Sequence, residues 1–414
     1  MPTPALYQQA PGGPVKLFER TVPERRRAAI EQFYVTDRAP EIGPDSDLPY
    51  GQRRLESIAF GTAVIEMQPV LTWDQLVEQS RLLKRDPEML LRLGKVTELG
   101  RFPLEPYDAE LVYGVVVHTP PVLRAHNKAR RDFQRLLQRQ LHRSPSGEVV
   151  LSVHGFNETY ETAAGTAAEL CPFFGREHAC GIFTWPASSR GNFLLSYTST
   201  TESAAFAVGH LANTIRMIAQ TPGVERVNLL AHSRGTAVLL GALRELAIES
   251  NAAGIEPADA LMVRHVVMMA PDTDLDLASQ QMLVVNSNPD MLTRWPHTHM
   301  ARYLSGRWTF YRSPRDKALG VSCFLFRSRR RVGQIDIDLL READSNAMYR
   351  DWGKLAVIVH RGKRTDPFGH AYFLSNPEVS SNLIQLIRYE TKPGEPGRSL
   401  KPVSSIAWKF PNAQ

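Results

Sequence analysis

Cysteine is scarce: Cys171, Cys180 and Cys323 are the three in 414 residues. So odd and sparse a set is no disulfide framework, and no Cys-x-x-Cys occurs. The reading is buried free thiols, with a Cys171–Cys180 pair as the alternative. No run of about 18 uninterrupted apolar residues exists, so no spanning helix is expected. The start, Met1-Pro-Thr-Pro-Ala-Leu-Tyr7, lacks a basic segment followed by an apolar one, and no secretory leader is read. A cytoplasmic chain is therefore expected, while a removed leader would leave no trace and an envelope association stays open. Walker and Gly-x-Gly-x-x-Gly patterns are missing, so nucleotide binding has no support. Charge of one sign is also limited: the net is +6, gathered in Arg25-Arg26-Arg27, Arg130-Arg131 and Arg329-Arg330-Arg331. Without a recognisable nucleic-acid module these runs read as solvated faces, leaving only a weak attraction to acidic membrane surfaces. His297-x-His299 could touch a metal, but no third ligand has suitable spacing. No metal or other cofactor is expected.

What is present is an ordinary globular mixture, 43% hydrophobic and 22% charged, which permits a large core. Residues 1–32 show no lasting period and read as a loosely ordered arm with a short helix over Arg25–Phe33. Residues 33–105 read as an N-terminal decoration, 106–391 as the core domain, and 392–414 as a tail. In the decoration, Tyr34–Thr36 and Ser57–Met67 read as strands, separated by a turn-rich loop over Pro40–Gly51. Thr72 caps a helix, and Pro87 divides it from a second short helix over Glu88–Leu93.

The core then alternates. Strands are expected at Leu111–His118, Glu148–Val153, Gly181–Trp185, Val227–Ala231, Val263–Met269, Trp308–Tyr311 and Leu355–His360. Helices are expected at Leu123–Leu141, Glu202–Ala219, Thr236–Glu249 and Glu378–Tyr389. Short apolar strands between helices predict an α/β fold, a mostly parallel sheet with helices on both faces.

Chemistry begins at Val227-Asn-Leu-Leu-Ala-His-Ser233-Arg-Gly-Thr-Ala237. An apolar strand runs into Ala231-x-Ser233-x-Gly235 and then into an apolar helix. This is a nucleophile elbow, where small residues must flank a sharply turned serine. Ser233 is the expected nucleophile. A serine hydroxyl needs a base to take its proton and an acid to orient that base. In the hydrolase arrangement the order is Ser, then acid, then His. Asp316, in Ser313-Pro-Arg-Asp316-Lys, is the expected acid, with Asp272, after Ala270-Pro271, as the alternative one strand earlier. His370, in Gly369-His370-Ala371 beyond the last strand, is the expected base, while His360 reads as structural. An acyl-transfer oxyanion needs fixed donors. The backbone N–H of Arg234 and that of Phe156, in His154-Gly155-Phe156-Asn157, are assigned this role, with His154 supporting the loop. The fold so implied is the α/β-hydrolase fold with an N-terminal strand/helix decoration.

With these residues in hand, the chain resembles the bacterial esterase/lipase-superfamily proteins grouped as an α/β-hydrolase family of unknown function. The resemblance rests on Tyr34-Val-Thr-Asp-Arg38, Phe60-Gly61, His154-Gly-Phe-Asn157, Thr184-Trp-Pro186, Tyr197, Glu202-Ser-Ala204, Ala231-His-Ser-Arg-Gly235, Ala270-Pro-Asp272, Tyr311-x-Ser313-x-x-Asp316-x-Ala318-Leu319 and Gly369-His370. It covers about residues 33–389. It implies the hydrolase fold and a Ser233–Asp316–His370 triad, and it names no substrate. Two departures stand out. The family has Met where Arg234 stands, and an Asp-Arg pair where this chain has Thr200-Thr201. The Arg234 side chain either meets an anionic substrate group or pairs within the fold. The expected activity is serine hydrolysis of small-molecule carboxylic esters. The alternatives are an acyltransferase or amidase with the same triad, or a noncatalytic hydrolase-like binding protein. Oligomeric state cannot be read.

Overall fold

The structure, a computed structural model, describes residues 1–8, 16–41, 49–83, 88–187, 193–282, 306–328, 330–342 and 354–411. Pro87, His297, His299, Arg329 and most of the loop expected over Pro40–Gly51 lie outside the described residues.

The strands with continuous apolar runs form the centre of the sheet. These are β6 (Glu148–Val153), β7 (Ala179–Thr184), β8 (Arg226–His232), β9 (Val263–Met269), β10 (Trp308–Arg312) and β11 (Leu355–Val359). With β1 (Ile30–Pro40) they run parallel in the order β11-β10-β9-β8-β6-β7-β1. Both faces must be covered, because alternate residues point to opposite sides. Val149, Leu151 and Val153 of β6 join Leu229 and Val266 in one apolar cluster; Val150 joins Leu230, Val267 and Ile358 in the other. The first is covered by α2 (Pro120–His142), α4 (Phe193–Ala219) and α5 (Gly235–Ala252), the second by the helix Pro377–Tyr389. In α2, Phe133, Leu136, Leu137 and Leu141 recur at helical spacing and are buried. Each such side chain contributes about 1.5–3 kcal/mol of burial.

Beyond β1 the sheet continues antiparallel through β2 (Tyr50–Gln68) and β3 (Leu90–Arg101). α1 (Trp73–Gln79) joins them, and Thr72 caps it in a reciprocal box with Gln75. α3 (Tyr160–Leu170) packs on this end. At the opposite end the tail adds β13 (Ala407–Lys409) parallel to β11, and β12 (Lys401–Pro402) antiparallel to β13.

Four expectations are corrected. Glu88–Leu93 forms no helix; Leu90 onward is β3, because its backbone pairs with β2 over nine residues of register. Leu111–His118 is not one strand but the ribbon β4 (Ala109–Val112) and β5 (Val115–His118), broken at Tyr113-Gly114, where both φ angles are positive. Arg25–Phe33 is not helical: a 3₁₀ turn covers Pro23–Arg25 and β1 begins at Ile30. The described parts of the arm are fastened to the core. Arg25 Nη1 donates to Arg176 O at 3.0 Å and His178 O at 2.7 Å, while Arg176 Nη1 returns a bond to Arg25 O at 3.0 Å. Finally, Cys171 and Cys180 are joined in a buried disulfide, with Cα atoms 6.2 Å apart, and only Cys323 is free.

Candidate active site

Ser233 immediately follows β8 and has φ of 52°. This left-handed backbone is costly for a residue with a side chain, by roughly 1–2 kcal/mol. The surroundings hold it there. Its N–H donates to Met269 O at 3.0 Å, and its carbonyl accepts from Thr236 N at 3.1 Å, Asp272 N at 3.1 Å and Thr236 Oγ1 at 2.6 Å. Small neighbours are required by contact. A Cβ on Gly235 would lie 2.3 Å from His154 O, and one on Gly155 would lie 2.7 Å from Ser233 Cβ. The elbow and the loop after β6 are thus pressed together backbone to backbone.

His370 reaches the same place from the loop after β11. Its ring centroid lies 4.8 Å from that of His232, the residue before the serine. Nδ1 of His370 donates to Oδ2 of Asp316 at 2.7 Å. Burial pulls the imidazole pKa down, but the hydrogen bond and charge of Asp316, with the charges of Asp272 and Asp366, outweigh it and raise the pKa. The other oxygen of Asp316 accepts from Leu319 N at 3.2 Å, capping the helix Lys317–Phe326. Asp366, which the sequence reading overlooked, fixes the histidine loop by accepting from the N–H groups of Phe368, His370 and Ala371, each at 3.1 Å. Its signal was the turn sequence Asp366-Pro-Phe-Gly369, with Gly369 at positive φ.

Asp272, the alternative acid, is buried nearby with other partners: Ser322 Oγ donates to it at 2.6 Å and Arg331 Nε lies 3.4 Å away. Of the other histidines, His360 stacks on Tyr372, and burial drives its pKa down to about 4. His232 is half-buried between His370 and Phe373, and desolvation lowers its pKa well below the usual range.

His154 has a fixed tautomer. Burial first, then the charge of Arg38, lower its pKa to about 3, so the ring is neutral. Nδ1 donates to Gly155 O at 2.9 Å, and Nε2 accepts from Trp185 N at 3.1 Å and the Thr184 hydroxyl at 3.0 Å. The C=O and N–H of a trans peptide point in opposite directions. Holding Gly155 O therefore sets the direction of Phe156 N–H. Arg38 braces the same loop, donating to Glu158 O at 2.9 Å and Thr184 Oγ1 at 2.9 Å. Beside it lies a second overlooked pair. Asp37 meets His210 Nδ1 at 3.1 Å, and although burial opposes it, Asp37 and Glu105 raise the His210 pKa to about 9.

Arg234 is buried. Its guanidinium lies 4.6 Å above the Phe326 ring and donates to Thr201 Oγ1 at 3.1 Å. The two positions that depart from the family pattern thus touch each other. Among the described residues, no group of three or more His, Cys, Asp or Glu is placed to hold a metal.

The family described as alpha/beta hydrolase of unknown function (DUF900) matches residues 129–389, more than half of the chain. This chain belongs to that family. The chain matches no curated protein sequence. Among solved structures it is similar to esterase B from Lactobacillus rhamnosis, at 12% identity over 44% of this chain and 60% of that one, with a TM-score of 0.24. It is similar to an esterase of Pyrobaculum calidifontis at 14% identity over 59% and 77%, TM-score 0.30. It is also similar to phospholipase PlaB from Legionella pneumophila at 13% identity over 40% and 39%, TM-score 0.22. The chain thus spans less than two thirds of the length of the first of these.

Proposed function

We propose that this hydrolase cleaves carboxylic esters through an acyl-enzyme on Ser233. The observation that carries the reading is the left-handed Ser233 at the end of β8, with the Asp316-bound ring of His370 packed on the neighbouring His232. In this reading Ser233 Oγ attacks the ester carbonyl while His370 Nε2 takes its proton. Asp316 keeps the other proton on Nδ1 and stabilises the imidazolium. The backbone N–H groups of Arg234 and Phe156 receive the oxyanion, each contributing about two to three powers of ten in rate. His370 returns its proton to the leaving alkoxide. Water, deprotonated by the same imidazole, then releases the acid and restores the serine.

Fluorophosphonate labelling tests the reading directly. The wild-type protein should gain one covalent adduct on the peptide containing Ser233. Ser233→Ala should lose both the label and turnover of a short-chain p-nitrophenyl ester while folding normally. Activity of Ser233→Ala above about one hundredth of wild type would assign the work to another group.

A further inference from the structure

The ribbon β4–β5 pairs with no other described strand. In its register Leu111 lies opposite Val116 and Val112 opposite Val115, so each face carries an aliphatic pair. Leu111 and Val116 are 74% and 69% exposed, Val112, Val115 and Val117 are exposed too, and Tyr113 at the tip is wholly in solvent. A two-stranded ribbon alone is marginal in water. An apolar patch of this kind on a soluble surface marks a contact. The stem is nevertheless fixed. Thr119 N and Oγ1 both donate to Asp108 at 3.1 Å, and Tyr107 packs against His118 and His126. The apolar tip is held out on a braced foot.

α2 starts at that foot. Its solvent side carries Arg124, Lys128, Arg130, Arg131, Arg135 and Arg139, all exposed, against Asp132 as the helix's single acid. At 100° per residue Arg124, Arg131 and Arg135 fall on one stripe opposite the buried Phe133 and Leu136, and Arg124 lies about 6 Å along the axis from Pro120.

We propose that the ribbon and α2 dock this protein on an anionic lipid surface. Tyr113 leads the ribbon into the headgroup layer, and the arginine stripe faces the phosphates. Three features favour lipid over a protein partner. The ribbon is apolar on both faces, which suits a medium that surrounds it rather than a groove that covers one side. An aromatic side chain at the tip suits the membrane–water interface. The adjacent cations complement an anionic leaflet. Glu110 and Asp108 are the acids of the ribbon and its foot, and α2's cations outnumber them.

Co-sedimentation of the full chain with vesicles tests it. Vesicles of phosphatidylcholine with about one third phosphatidylglycerol should bind the protein, at least about tenfold more tightly than phosphatidylcholine alone, and salt should weaken binding. The double variant Leu111→Asp/Val116→Asp should lower binding by about tenfold or more, as should Arg124→Glu/Arg131→Glu, which should also flatten the salt dependence. Both should keep the wild-type thermal transition, because these side chains face solvent. Failure of the wild type to bind, or unchanged binding by the ribbon variant, overturns the proposal. So does a wild-type dimer that ignores vesicles and that the ribbon variant converts to monomer, which would make a second copy the occupant.

Discussion

The guanidinium of Arg331 lies 3.4 Å from the carboxylate of Asp272, and Ser322 donates to the same oxygen. The acid one strand earlier is therefore engaged with residues around the helix Lys317–Phe326, while His370 bonds to Asp316.

Asparagine substitution should separate the two carboxylates. Asp316→Asn retains an oxygen to cap Leu319 but no longer favours the Nδ1–H tautomer of His370. It should cost up to about 10⁴ in kcat with little change in folding. Asp272→Asn should cost much less activity and more stability, because it leaves Arg331 buried beside a neutral group, a loss of order 3 kcal/mol. Steady-state kinetics and thermal melts of both variants decide, and the opposite ranking would move the acid to Asp272.

The pH profile should carry the mark of Asp316. A base works only when neutral, and the raised pKa of His370 keeps it protonated to higher pH. The acidic limb of kcat/KM should therefore have its midpoint above the ordinary imidazole value of about 6.5, with activity rising as pH rises through it. In Asp316→Asn the residual activity should show that midpoint displaced downward. A wild-type limb below the ordinary value would contradict the assignment of His370 as base.

Arg234→Met should act on the fold rather than on substrate charge. The side chain is buried on Phe326 and bonded to Thr201, with Arg331 at 4.9 Å from the same ring. Losing this stacking should cost about 0.5–2 kcal/mol of stability. Turnover of a neutral ester and of its carboxylate-bearing analogue should fall by similar factors. A loss confined to the charged ester, about tenfold or more, would show that the guanidinium meets substrate after all.

Thiol titration in denaturant without reductant should detect Cys323 alone, since Cys171 and Cys180 are bonded. Three reactive thiols would refute the pairing. The partners stand nine positions apart, and Cys171→Ser/Cys180→Ser should lower unfolding stability by about 2–3 kcal/mol.

Local signals made much of this molecule legible in advance. β6 and β9 have the bounds read from the sequence, Glu148–Val153 and Val263–Met269, and the elbow was legible from the small residues around Ser233 together with the apolar strand before and helix after. Asp316 and His370 were singled out because each follows a strand in a fixed chain order, and the structure sets His370 Nδ1 2.7 Å from Asp316 Oδ2. What escaped was set by distant partners. Leu90-Leu91-Arg92-Leu93 is too short and too mixed to tell strand from helix until β2 lies beside it. The arginines near the start suit a helix, yet Arg25 spends its donors on carbonyls about 150 residues away. Asp37 and His210 are 173 positions apart, and nothing in either neighbourhood announces the other.

The large sheet ends in two edge strands, β12 and β3. An open row of backbone donors and acceptors invites another strand to add, copy after copy. Here the outermost strand on one side is only Lys401–Pro402, and a proline has no N–H to offer. On the other side β3 turns the charged side chains of Arg92, Lys95 and Glu98 to solvent. Edge-to-edge addition of a further strand to this sheet of eleven is discouraged at both margins.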